Sequence, residues 1–427
     1  MEQLSKWCGI SVTDIEKLTD IFCSTAKIPL VAYTGLEYQL SAIQNNRAIF
    51  VLWAITGKLD APGAIYLNAK GLETPKLFEI PEDDKPIGVD EFPLFYKFSG
   101  QGQFSRFPKA VLEDEPYPVR GLMILGGSPV LSFPDSKSWR DKKLDCLIVL
   151  DRYFTEDARY ADVVFPACSL FEVPKAVPGP EGPHIVEPLI EPVGESKNDV
   201  LIMGAIAKKL GFGDKLPQTE EELRSWLLSG TAPYAGDFRT SADQKKEKHY
   251  KKYETGELRA DGKPGFPTPS GKLEICSTIL EENGFVPYPE YKDVRSIPEL
   301  AGKEYPFTMT SGARSNNRMG VFGANLDKIA EIEPYPFVDI NAEDAKEIGI
   351  EDGDMVKVIT PFADGTFKAK IRGIARHAIH IPHGGGSAYM AEPWKNGNVN
   401  DLCSLDYADP MTGFVLIKSV PCRVEKV

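Results

Sequence analysis

Leu122-Met123-Ile124-Leu125-Gly126-Gly127-Ser128-Pro129 and, one crossover later, Leu144-Asp145-Cys146-Leu147-Ile148-Val149-Leu150-Asp151 decide the fold class. Each is a short apolar run that stops at glycine or a polar residue, the pattern of a strand buried on both faces. Val163-Val164-Phe165, stopped by Pro166, is a third such run at close spacing. Together the three predict a parallel sheet with crossovers. In such a sheet ligands collect beyond the carboxyl ends of the strands. Gly126 and Gly127 fall at one of those ends, Asp151 and Thr155 at the next. A strand running into two glycines is either a plain tight turn or a place where a bulky ligand meets backbone.

Outward from this core, residues 11–70 read as alternating helix and strand. Thr13 is the expected cap of a helix carrying Ile15, Leu18, Ile21 and Phe22. Ile28 to Tyr33 reads as a short buried strand, and Ser41 to Thr56 as a helix ended by Gly57. Residues 73–118 are rich in Pro, Gly and Asp and read as irregular. Asp199 to Leu210 is an amphipathic helix closed by Gly211. Residues 213–262 concentrate charge, including Lys245-Lys246-Glu247-Lys248 and Lys251-Lys252, and read as a solvated insertion or a docking patch. A strand is expected at Lys272 to Ile275. The last third turns to strands at Phe337 to Ile340, Met355 to Thr360, Thr366 to Ile371, Ile379 to Ile381 and Val415 to Val420, with Asn341 capping one short helix. Mostly β with one helix, it predicts a closed barrel.

Composition removes several classes. The 427 residues carry 49 basic against 62 acidic side chains, a net charge of −13, which argues against a general nucleic-acid surface. No apolar run reaches the roughly 18 residues of a membrane span. The seven cysteines are dispersed without a C-x-x-C pair, so neither a disulfide framework nor a thiolate-bound zinc or iron–sulfur cluster is expected in this chain. No secretory signal opens the chain, which points to the cytoplasm. His377, His380 and His383 invite a metal reading, but on an extended segment the middle one faces away from the outer two. They read as ordinary strand and loop histidines, His383 alone standing out because Gly384-Gly385-Gly386 follows it. Walker, G-x-S-x-G and H-E-x-x-H motifs are absent from the sequence.

Further strings, taken in order, carry a resemblance. They are Asn46-Arg47-Ala48-Ile49 and Ile55 to Gly63, Leu125 to Pro129, Val149 to Glu156, Ala161 to Pro166 with Glu172, Glu191 to Glu195, Thr268 to Glu274, Thr310 to Arg314, Ile340 to Val358, and Asn398 to Gly413. So ordered, the chain resembles the molybdenum/tungsten bis-pterin guanine dinucleotide oxidoreductases, the dimethyl sulfoxide reductase superfamily. Formate dehydrogenases, thiosulfate reductases and acetylene hydratase belong to it. The resemblance implies an α/β fold: doubly wound open-sheet domains followed by a C-terminal double-psi β-barrel-like domain. It divides the chain at 1–112, 113–298 and 299–427.

Residue by residue, the resemblance implies cofactor contacts. Gly35 and Tyr38 match a loop touching one pterin. Gly126, Gly127, Ser128, Asp151 and Thr155, with Asp162, match the loops that hold a guanosine diphosphate, although Ser128 stands where many relatives have Asn or Asp. Gly312, Ala313 and Arg314 match the strand–loop that clasps the pterin, and Asn400 and Lys418 match late residues reaching it. His383 is kept as a cofactor candidate beside its glycines. The cofactor implied is bis-molybdopterin guanine dinucleotide with molybdenum or tungsten. Relatives begin with an iron–sulfur domain and a segment carrying the Cys, selenocysteine or Ser metal ligand, and this sequence starts after both. The expected partner is therefore an N-terminal catalytic part holding the four-iron cluster and metal ligand, and the chain by itself is expected to be inactive. A split subunit, a frame broken at a selenocysteine codon and a shortened sequence all fit. An iron–sulfur electron-transfer subunit is a further partner implied. A non-redox hydratase and a non-catalytic cofactor scaffold are the competing readings.

Overall fold

A computed structural model describes residues 1–67, 85–140, 144–177, 183–229, 249–312, 326–390 and 392–427. The chain forms two compact units, each drawn from separated stretches. The first takes the described parts of Met1–Glu37, Ser41–Glu73 and Lys246–Tyr291; the second takes those of Tyr38–Leu40, Thr74–Lys245 and Lys292–Val427.

In the first unit the helices Glu2–Cys8, Val12–Ser24 and Ala42–Ile55 follow the apolar periodicity. Ser11, not Thr13, caps the second, its hydroxyl accepting from the Asp14 N–H at 3.1 Å. Ile28 to Tyr33 is not a strand. No neighbour offers a ladder among the described residues, and Val31 is 96% exposed; unpaired backbone is left to water. Lys272 to Ile275 is also irregular. Local side-chain bonds capture its polar groups: Thr268 Oγ1 donates to Lys272 O at 2.6 Å, and Glu274 accepts from the Ser270 N–H. The charged stretch hides one exception to its solvated reading. Lys252 is 1% exposed, pairs with Asp60 at 2.5 Å and lies 3.9 Å from the centre of the Tyr66 ring. Lys245 to Lys248 lie outside the described residues.

The second unit holds the sheet and the barrel. Strands β1 (Gly121–Leu125), β2 (Cys146–Asp151) and β3 (Val163–Pro166) are parallel in the order 1-2-3, with Leu125 opposite Leu150 and Asp151 opposite Pro166. Val149 and Leu150 in the central strand are fully buried. A small antiparallel pair, β4 (Lys175–Val177) and β5 (His184–Val186), follows. The region expected to be irregular contains helices at Pro93–Ser99 and Phe107–Leu112. Each has proline in its first turn, where the missing N–H costs nothing, so the residue that suggested a break is a start signal.

Strands β6 (Phe307–Ser311), β7 (Phe337–Asn341), β8 (Met355–Ile359), β9 (Asp364–Arg372), β10 (Ala378–Ile381) and β11 (Val420–Lys426) close a barrel in the order 10-6-11-8-9-7. The fold class expected from the sequence, α/β segments followed by a closed β-barrel, is the one observed. Alternate residues such as Val338, Ile340, Val356, Val358, Ile379 and Ile381 fill its interior. The last strand lies later than expected. Ser419 has φ 64°, a left-handed conformation that breaks the apolar run, so Val415 to Ser419 is a connection and β11 starts at Val420. Asn341 caps the Ala342–Glu347 helix as expected, accepting from the Glu343 N–H at 2.8 Å.

Candidate functional site

At the carboxyl ends of β1 and β2, Gly126 adopts φ 60° and donates its N–H to Leu150 O at 2.9 Å. A side chain built on it would point into open space, so the backbone there is free to meet a ligand. Beside it opens a cleft of about 270 Å³ lined in part by Gly126, Asp151, Arg152, Cys168, Ser169 and Asp199. Asp151 is buried, with Oδ1 accepting from the Tyr153 N–H at 3.1 Å. Burial first, then the Asp151 charge, raises the Asp199 carboxyl above the ordinary aspartate value, with Arg152 opposing. One wall is fixed by Glu172, which accepts from the Ser169 N–H at 2.5 Å, the Val193 N–H at 2.6 Å and the Ser196 hydroxyl at 3.2 Å. These bonds, those of Ser169 foremost, hold its carboxyl down at about 2.

Other sheet-side candidates have structural employment. Ser128 donates to Asp157 at 2.5 Å. Thr155 accepts from the Ala158 N–H at 3.3 Å, just ahead of the turn Asp157–Tyr160. Gly127 packs 3.5 Å, at its missing Cβ, from Ile124. Asp162 lies at the opposite end of the sheet. Its carboxylate accepts from the Leu147 N–H at 2.7 Å, beside the start of β2, and so away from the cleft.

The barrel rim supplies a cation. Lys418 is 7% exposed, and its ammonium donates to Ser311 O at the end of β6. Among the described residues no carboxylate pairs with it, and burial lowers its pKa from the ordinary lysine value. Gly312, at φ 108°, comes so close that a Cβ there would sit 2.8 Å from Lys418 Nζ. The Lys418 N–H also donates to Tyr38 O at 3.1 Å, and the Tyr38 ring lies 5.6 Å from that of Phe414. Gly312, Lys418 and Tyr38 are thus brought together. Ala313 and Arg314 lie outside the described residues. Gly35 is exposed in a short turn of the first unit.

Sheet and barrel connections meet. Asn400 Nδ2 donates to Leu131 O at 2.6 Å, tying the barrel segment to the turn after Gly126-Gly127-Ser128. Its amide therefore serves as a tie. Ser136 donates to Asp401, and the Phe154 and Tyr389 rings meet edge to face at 5.0 Å. His383 is half-buried at the head of the glycine run. Those glycines are demanded by the chain's own packing: a Cβ on Gly386 would lie 2.7 Å from Asn398 Cβ, and one on Gly385 2.9 Å from Gly397 O. His380 instead pairs with Asp339 at 3.0 Å across β10 and β7, and His377 sits in a left-handed turn. Among the described residues no group of three His, Cys, Asp or Glu side chains could hold a metal ion, and no helix is long and apolar enough to cross a membrane. Sequence reasoning did not single out Asp199, Glu156 or Asp157 for a role; Glu156 and Asp157 follow shortly after the end of β2, and Asp199 opens the Asp199–Lys209 helix.

A sheet-end cleft and a cation-bearing barrel rim within one unit define the class as an α/β-plus-barrel protein. Residues 39–209 match the molybdopterin oxidoreductase family, and residues 308–421 match the molydopterin dinucleotide binding domain. The chain belongs to the molybdopterin oxidoreductases of the dimethyl sulfoxide reductase superfamily. It is 28% identical to the probable oxidoreductase YoaE of Bacillus subtilis, over 84% of this chain and 51% of that protein. It is 26% identical to the F420-dependent formate dehydrogenase subunit alpha of Methanocaldococcus jannaschii, over 89% of this chain and 57% of that protein. The fold is similar to that of acetylene hydratase from Pelobacter acetylenicus, with a TM-score of 0.77 at 21% identity, covering 98% of this chain and 63% of that one. The chain spans about half the length of the curated relatives it matches.

Proposed function

We propose that this chain forms the nucleotide-and-pterin cradle of a metal–pterin oxidoreductase, binding a molybdopterin guanine dinucleotide between strand ends and barrel rim. The observation that carries the reading is Lys418: a buried ammonium with a carbonyl, and no carboxylate among the described residues, as its partner. An unneutralised buried charge is costly, and an anionic ligand beside Gly312 would offset that cost. The open backbone at Gly126 suits a phosphate or ribose, and the buried Asp151 carboxylate suits the N–H donors of a guanine or the hydroxyls of a ribose. These residues fit the group in charge and in space.

When bound, the cofactor supplies the redox chemistry at its metal. The residues of this chain do the holding: Lys418 balances negative charge, Gly312 and Gly126 give close approach, and Asp151 orients the nucleotide end. The metal ligand and four-iron cluster are assigned to a further N-terminal catalytic stretch of polypeptide, with an iron–sulfur subunit as electron partner. Formate, a sulfur oxyanion or a related small molecule is the proposed substrate of the complete enzyme. A hydratase is the second reading, supported by 25% identity to the acetylene hydratase of Syntrophotalea acetylenica over 90% of this chain. The cradle is tested by titrating purified Lys418→Met with molybdopterin guanine dinucleotide. Affinity is expected to fall about tenfold, the size of one lost charge-assisted contact; unchanged affinity removes Lys418, and the reading with it.

A further inference from the structure

Glu156 and Asp157 are adjacent carboxylates on the connection from β2 to β3, 2% and 1% exposed. Asp157 serves the sheet side, accepting from Ser128 Oγ at 2.5 Å and from the Val130 N–H at 3.1 Å. Glu156 serves the barrel side. Its Oε2 accepts from the Ala388 N–H at 3.1 Å, while Arg159 donates to Oε1 at 2.7 Å. Ala388 follows the run His383-Gly384-Gly385-Gly386-Ser387 in the long connection between β10 and β11. Neither carboxylate lines the open cleft. Two neighbouring residues thus each hold a different loop, one from each half of the unit.

We propose that Glu156 is a positioning residue that fixes the spacing between the sheet's Gly126–Ser128 loop and the barrel connection at Ala388, so that one elongated ligand reaching from sheet to barrel is gripped at both ends. The proposal rests on the cradle reading above. Loops held at the right separation before binding need not be ordered by the ligand, and the gain falls only to a ligand that spans both. A ligand that touches the sheet loop alone is indifferent to Glu156, because Asp157 still holds that loop.

The test compares GMP with molybdopterin guanine dinucleotide released anaerobically from a molybdoenzyme, both titrated into the purified full chain. Glu156→Ala leaves no buried orphan, since Arg159 is 41% exposed and Ala388 is exposed, so the fold should survive. Dinucleotide affinity is expected to fall at least about tenfold while GMP affinity stays within about twofold. Glu156→Gln, which keeps an acceptor for the Ala388 N–H, should restore most of the loss. Asp157→Asn should weaken both ligands. Parallel loss of both ligands in Glu156→Ala, or no loss of the dinucleotide, overturns the proposal. A wild-type chain that binds neither ligand overturns the cradle reading itself.

Discussion

Glu172 shows what a single residue does here and how little of it a linear sequence reveals. Its partners Val193 and Ser196 lie 21 and 24 residues away, so no local pattern announces them. Because its folded-state pKa is about 2 against an ordinary 4.5, its stabilising effect is complete above pH 4.5 and is lost as the pH falls toward 2. In urea unfolding between pH 6 and pH 3, the wild type should therefore lose more stability with acid than Glu172→Gln, and the gap between them should narrow at the acid end. Equal slopes would show that these bonds do not form. Lys418 was legible only through resemblance, since its burial depends on the Ser419 turn and on Ser311, more than a hundred residues earlier. Asp162 illustrates the converse. Its position next to a strand was visible, but which end of the sheet it occupies follows from strand direction and register.

At the scale of elements, continuous apolar runs were the readable signal. All three parallel strands fall where their runs lie, although only central β2 is largely buried and the edge strands β1 and β3 leave Leu125 and Val163 exposed. The apolar run at Ile28 and the alternating stretch Lys272 to Ile275 also read as strands and form none, because a strand exists only where a neighbour completes its ladder. The central strand accordingly bears the sheet. Leu150 is fully buried in it, so Leu150→Ala should cost about 2–5 kcal/mol in chemical denaturation. A cost below about 1 kcal/mol would mean that the site collapses onto the cavity and that β2 is not the tightly packed centre described above. The barrel was legible as β-rich, with alternation marking its inward faces, while its closure order was not, since pairing between strands distant in the chain leaves no local trace.

For the whole molecule, charge and local potential diverge: a chain of net charge −13 still buries the cation Lys418 at the barrel rim. The family and its dinucleotide-binding domain were readable from ordered motifs. The meeting of sheet loops and barrel connections through Asn400, Glu156 and Asp401 was not, because it joins residues up to about 270 positions apart. The most direct measurement is retention of ligand by the intact chain. Purified protein is incubated anaerobically with molybdopterin guanine dinucleotide, freed of unbound ligand by gel filtration, and hydrolysed so that released GMP can be counted per chain. At least one GMP per wild-type chain, lost in the double variant Asp151→Ala/Lys418→Ala, is the result expected; a wild-type chain that comes off the column without GMP contradicts the account.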